Sequence, residues 1–230
     1  MNKFNMKRLI KDIKDLKVNP LENDGIFYKE NENNILKGYA LIIGPKDTLY
    51  ENGNYLFEFS FTNNYPFEPP KVKFLTNDGT TRLHPNLYRN GKVCLSILNT
   101  WRGEQWTSCQ TIGSILLTII SIFDNKPLLY EPGITEKYKD FDNYNKIIYY
   151  KNLEFSIFKL IKKKNVENIL KNKNISNYFF KKIINNFEKE KNNIKKKIEN
   201  LNNFKKYYKT QIYNMKINID YKKLKKYKEY

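Results

Sequence analysis

The chain is poor in the residues that do most acid, base and metal chemistry. In 230 residues it has one histidine and two cysteines. Two cysteines and one histidine cannot fill the four positions of a zinc site without carboxylates. Nor do two cysteines make a disulfide framework, which points to a reducing compartment. A cysteine hydrolase needs a histidine to generate thiolate, and the only candidate, His84, is locked beside Pro85 ten residues before Cys94. The N-terminus lacks the apolar core of a signal peptide. The longest apolar run, near 112–123, is too short to span a bilayer. These absences predict a soluble intracellular protein, placed in the cytoplasm and free to enter the nucleus as well, with no membrane segment, no metal and no cofactor.

What is present is aromatic and basic. Hydrophobic residues make up 40% of the chain and aromatics 15%, enough for a sizeable core. The net charge of +18 is unevenly placed: residues 165–230 hold 18 Lys against 6 acidic residues, and the first 164 carry the remaining +6. Length and this shift predict a domain over 1–164 and a basic helical extension over 165–230. A chain ending near Lys164 is expected to stay folded, because the strands and motifs precede that point.

Met6, Leu9, Ile10, Ile13 and Leu16 follow helical spacing, with Lys7, Arg8, Lys11 and Lys14 on the other side, and Asn19-Pro20 ends that helix. Strand-like segments at 26–30, 36–43, 55–62 and 71–75 are separated by short turn clusters. In the third, Tyr55, Phe57, Phe59 and Phe61 share one face, as in an antiparallel meander with one face on a core. Short links preclude crossover helices, so the fold class is α+β. Thr107 to Gln110 has the spacing of a capping box opening a helix over 111–123, which is apolar on most sides and belongs inside. Asp140 or Asp142 can cap a further helix running past Phe155 and Phe158. In the extension Phe180, Ile184, Phe187, Ile194, Ile198, Leu201 and Tyr208 fit a 3,4 spacing, with Lys191 and Lys205 on the same seam.

The scarce residues sit together. His84-Pro85-Asn86 is followed, after seven residues, by Cys94-Leu95-Ser96-Ile97-Leu98. A lone cysteine between Val93 and Leu95 is often an inert packed thiol. Here Pro85 makes a rigid turn of the first tripeptide, and Asn90-Gly91 supplies a second turn just before the cysteine. Two tight turns thus present one sulfur.

This arrangement resembles the active-site signature of ubiquitin-conjugating enzymes. Tyr65-Pro66-Phe67-Glu68-Pro69-Pro70 resembles the loop before that family's fourth strand. Trp101-Arg102-Gly103-Glu104-Gln105-Trp106, Lys126-Pro127 and Glu131-Pro132-Gly133 are similar to its large Z-type branch. The resemblance covers residues 3–160. It implies a UBC-like fold: an N-terminal helix, a four-stranded antiparallel meander, a central buried helix and C-terminal helices.

It also implies acyl transfer. Cys94 would accept ubiquitin or a ubiquitin-like modifier from an activating enzyme as a thioester and pass it to a substrate lysine or a ligase. Asn86 would donate to the oxyanion, His84 would hold the turn rather than exchange protons, and Glu131 stands where the family places an acidic residue near the incoming lysine. Phe67, Trp106, Ser108 and Cys109 would form the ligase contact, although Thr107-Ser108-Cys109 replaces the Ser-Pro-Ala of many members. Lys7, Arg8, Lys11 and Lys14 would meet an acidic groove on the activating enzyme.

Two other classes compete. A non-catalytic scaffold of the same fold would not need Cys94 and Asn86, and both are present. A binder of nucleic acid or acidic partners could use clusters such as Lys195-Lys196-Lys197, but the extension has no arginine and no base-reading motif.

Overall fold

The computed structural model describes residues 2–229. Helix α1 (Lys3–Val18) starts where the Asn2 side chain accepts from the Asn5 N–H at 2.8 Å. It buries Leu9 and Ile13, but Ile10, expected on that stripe, is 47% exposed. Asp12 is buried beside Leu9 and Ile13 instead, between Arg8 and the Tyr65 hydroxyl.

Strands β1 (Ile26–Glu30), β2 (Lys37–Ile43), β3 (Asn54–Ser60) and β4 (Lys71–Phe74) form one antiparallel sheet in that order. All four lie where alternation placed them, to within two residues. Phe57 faces Ala40 on one side and Phe74 on the other, and with Tyr55 and Phe59 it builds the inner face. Helix α2 (Ile112–Ser121) packs there through Ile112, Ile115, Leu116 and Ile119. Its capping box is Thr111 with Ser114, not Thr107 with Gln110. The Gln110 side chain does bond the Thr107 N–H, at 2.9 Å, but closes a separate turn one step before the helix.

The alternation in the third strand puts one face of the sheet on a core and names no cover for the other. On that outer face Phe27, Tyr39, Leu41 and Leu56 are buried beneath α4 (Lys163–Leu170) and α5 (Lys173–Asn200), through Val166, Leu170, Ile175, Phe179 and Ile183. The seam of α5 differs by one residue from the expected one in its first half: Phe179 and Ile183 are buried where Phe180 and Ile184 were predicted. Both positions are apolar pairs, so spacing alone cannot choose between their members. Glu190, not Lys191, is the charged residue on the buried seam.

Helix α3 (Phe141–Lys151) continues into a π-helical turn, Asn152–Ile157, where Asn152 accepts from the Tyr55 hydroxyl at 2.7 Å. Beyond α5 the extension is not wholly helical. A hairpin of β5 (Tyr207–Thr210) and β6 (Met215–Asn218) precedes a short α6 (Tyr221–Lys225). Tyr208, Met215, Ile217 and Leu224 join the same core as α2 and the inner sheet face. The segments on either side of residue 164 therefore share both apolar clusters. Several extension lysines are paired with acidic groups before that point: Lys182 with Glu22, Lys197 with Glu51 and Lys223 with Glu154. Among the described residues no helix is long and apolar enough to cross a membrane.

Candidate active site

The stretch from His84 to Cys94 is anchored to the β4 edge. The Phe74 N–H donates to the Gly91 carbonyl at 2.8 Å, and isolated bridges join Lys73 to Lys92 and Leu87 to Val93. Gly91 has φ +89°, and an added Cβ would lie 2.9 Å from the Phe74 carbonyl oxygen, so this turn requires glycine. After the cysteine, the Thr100 hydroxyl donates to the Val93 carbonyl and accepts from the Leu95 N–H, both at 2.9 Å. Cys94 is thus fixed from both sides by backbone held in turns.

Asn86 and Cys94 grip each other. The Cys94 N–H donates to the Asn86 carbonyl at 2.9 Å, and Asn86 Nδ2 donates to the Cys94 carbonyl at 2.6 Å. Cys94 is 3% exposed and Asn86 8%. The sulfur is therefore held in a preorganised turn with little exposed surface.

His84 is fully buried, and its Nδ1 accepts from the Asn86 N–H at 3.0 Å. Its ring lies edge-on to Tyr130, with centroids 4.8 Å apart. Burial pulls its pKa down to about 3. The ring is neutral at neutral pH. Because a free histidine takes its proton near 6.5, the unfolded chain binds a proton in acid that the folded chain refuses. The stability lost this way is absent above about pH 6.5 and grows as pH falls toward the folded value of about 3. A loss of about 2 kcal/mol is expected between about pH 7 and about pH 5, above the range of ordinary carboxylates. Urea unfolding at the two pH values measures it, and equal midpoints would contradict a buried neutral His84.

Glu131 lies after the 3-10 turn Pro127–Tyr130, and its Oε2 accepts from the Tyr213 hydroxyl. Tyr213 lies in the extension, 82 residues downstream of Glu131, where no local pattern marks it as a partner of that carboxylate. Among the described residues no cluster of three or more His, Cys, Asp or Glu could hold a metal ion.

The expected ligase-contact residues come together at the end of α1. Phe67 is 65% exposed and stacks on Phe4, itself 63% exposed, with centroids 6.2 Å apart. Trp106 is buried and donates through Nε1 to the Pro66 carbonyl at 2.7 Å, which ties its loop to that of Phe67. Cys109 is exposed and Ser108 half-buried. Phe4 lies outside the core stripe of α1, so helical spacing does not mark it.

Lys7, Lys11 and Lys14 are exposed along α1. Arg8 does not share their free face. Its Nε bonds Asp12 at 2.9 Å, Nη1 the Ser108 carbonyl at 2.5 Å and Nη2 the Gln110 carbonyl at 2.6 Å. Its fork is committed to the loop after Trp106, a use that charge patterning alone does not reveal.

The sequence model of the family described as "Ubiquitin-conjugating enzyme" matches residues 8–157, well over half of the chain. The chain belongs to the ubiquitin-conjugating enzyme family. It is 41% identical over 143 residues to ubiquitin-conjugating enzyme E2 Z of Homo sapiens, covering 61% of this chain and 40% of that protein. The E2 Z of Xenopus tropicalis is 40% identical over 143 residues, covering 61% of this chain and 46% of that protein. A ubiquitin-conjugating enzyme E2 of African swine fever virus is 35% identical over 162 residues, with 67% of this chain and 70% of the viral protein covered. The chain thus spans less than half the length of the E2 Z proteins. His84, Asn86, Cys94 and Glu131 all lie inside the span matched by the ubiquitin-conjugating enzyme model, whereas Tyr213 lies outside it.

Proposed function

We propose that this chain is a ubiquitin-conjugating transferase whose acyl carrier is Cys94. The Cys94 thiolate attacks the thioester carbonyl that joins ubiquitin, or a related modifier, to an activating enzyme. A new carbon–sulfur bond forms, and the activating enzyme's thiolate leaves. A substrate lysine amine then attacks the Cys94 thioester, loses a proton, and expels the Cys94 thiolate; a ligase's cysteine can take the acyl group the same way. Splitting one condensation into two exchanges is the use of covalent catalysis. A thiolate leaving group and held geometry allow the exchange without a histidine base, which suits a His84 buried and neutral.

The observation that carries this reading is the reciprocal pair of bonds between Asn86 and Cys94, which fixes the sulfur's backbone within reach of a side-chain amide. The Asn86 amide has a second N–H, and that donor is assigned to the oxyanion. Loss of one such donor typically costs roughly a hundredfold or more in rate. Asn86→Ala is accordingly expected to slow discharge of charged protein to free lysine by about that factor, and more than it changes folding. Parallel single-turnover and melting measurements check this, and equal losses of stability and discharge would assign Asn86 to the turn alone.

Phe67 with Phe4, Trp106, Ser108 and Cys109 is proposed as the ligase contact, and Lys7, Lys11 and Lys14 as the contact for the activating enzyme, with Arg8 bracing the loop between them. Incubation with activating enzymes, ATP and candidate modifiers, followed by a non-reducing gel, tests the function. A reductant-sensitive adduct supports it, and its absence with every modifier counts against it.

A further inference from the structure

The extension returns to the candidate active site through one loop. β5 and β6 are joined by residues 211–214, in which Tyr213 (φ 57°) and Asn214 (φ 45°) both adopt the left-handed region that L side chains rarely occupy. The loop is pinned from the main body: Asp140 Oδ2 accepts from the N–H groups of Gln211 at 2.7 Å and Ile212 at 2.9 Å. Asp140 stands at the expected N-cap of α3, but its carboxylate serves the hairpin instead.

Pinned in this way, Tyr213 packs its ring 6.0 Å from that of Tyr144 and reaches Glu131 and two arginines. Its hydroxyl donates to Glu131, its carbonyl accepts from Arg89 Nη2, and its ring lies 5.0 Å from the Arg82 guanidinium. Burial, reinforced by the Glu131 carboxylate, pushes the Tyr213 hydroxyl well up, so it remains a donor.

Arg82 connects this to the turn. Its guanidinium meets two rings, 3.3 Å from the centroid of Tyr88 and 5.0 Å from that of Tyr213. From there Nε donates to the His84 carbonyl at 3.2 Å and Nη2 to the Pro85 carbonyl at 2.5 Å. The Arg82 backbone is held as well: its N–H meets Met215 Sδ at 3.4 Å, and its carbonyl accepts from the Tyr144 hydroxyl at 2.9 Å. The next link is Asn86, which grips Cys94. A continuous line of contacts thus runs from the hairpin to the nucleophile.

We infer that Tyr213 is a positioning residue: from the C-terminal hairpin it fixes Arg82, and with it the His84-Pro85-Asn86 turn, while its hydroxyl holds the Glu131 carboxylate. The consequence for acyl transfer rests on the Cys94 reading above, whereas the ordering of the turn does not.

The test uses the full chain with Tyr213→Ala and Tyr213→Phe, and reads hydrogen exchange as well as activity. In Tyr213→Ala the amides of Asn86, Leu87 and Cys94, all hydrogen-bonded within the turn, are expected to exchange about tenfold faster while those of β2 and β3 do not change. Discharge to lysine slows by about tenfold, more than charging does. Tyr213→Phe keeps the ring and the turn's protection, and loses only discharge. That loss disappears in a Glu131→Gln background, since the two groups act as one unit. Unchanged exchange at the turn in Tyr213→Ala, or a uniform rise across the sheet, would overturn the inference. If Tyr213→Ala fails to fold, Tyr213→Phe decides: wild-type discharge, or a loss that adds to that of Glu131→Gln, overturns it. If the wild-type protein takes up no modifier, the Cys94 reading fails, and the exchange measurement still decides the role of Tyr213.

Discussion

A chain ending at Lys164 should lose its cooperative fold. That truncation removes α4 and α5 from the outer sheet face and leaves Phe27, Tyr39, Leu41 and Leu56 in water. Each fully buried side chain of this size is worth about 1.5–3 kcal/mol, so this face alone accounts for roughly 6–12 kcal/mol as an upper estimate. Net stabilities of about 5–15 kcal/mol leave little after such a loss. The inner core suffers too, because Phe187, Ile194, Ile198, Met215 and Leu224 belong to it. Ion pairs such as Lys197 with Glu51 also disappear, but they matter less than the apolar area. A thermal melt compares the two chains. A truncated protein with a sharp transition within a few degrees of the full chain would show that residues 1–164 fold on their own.

The sequence disclosed the parts whose patterns are local and redundant. Tyr55, Phe57 and Phe59 alternate without ambiguity, and β3 follows them. The two turns around Cys94 are written in Pro85 and Asn90-Gly91, and the bonds between Asn86 and Cys94 lie within ten residues. What escaped depends on long-range contacts or on degenerate patterns. Leu41 and Leu56 stand among residues pointing away from the inner face, a sign that this face too is covered, but nothing local names α5 as the cover. Adjacent apolar pairs at Phe179-Phe180 and Ile183-Ile184 leave the register of α5 open by one residue. The hairpin strands are four residues each, with Lys209 and Lys216 among them, too short for a period of two to stand out against the lysine-rich background. Arg8 reads as one more charge on a basic face, and only the fold brings the Ser108 and Gln110 carbonyls to its guanidinium.

Replacing Cys94 is expected to abolish thioester formation altogether. Serine's hydroxyl is a far weaker nucleophile than a thiolate, so Cys94→Ser should carry at most a slowly formed ester that survives reductant. Cys109 is the internal control. It is exposed, whereas Cys94 is buried in its turns, so a rule based on accessibility alone would choose Cys109. Cys94 is nonetheless the expected carrier, because Asn86 and the two turns organise the backbone around it. The decisive measurement is a non-reducing gel of wild-type, Cys94→Ser and Cys109→Ser proteins incubated with activating enzyme, ATP and modifier. A reductant-sensitive adduct is expected on the wild-type and Cys109→Ser proteins and none on Cys94→Ser. A normal thioester on Cys94→Ser, or one lost only in Cys109→Ser, would contradict the role of Cys94.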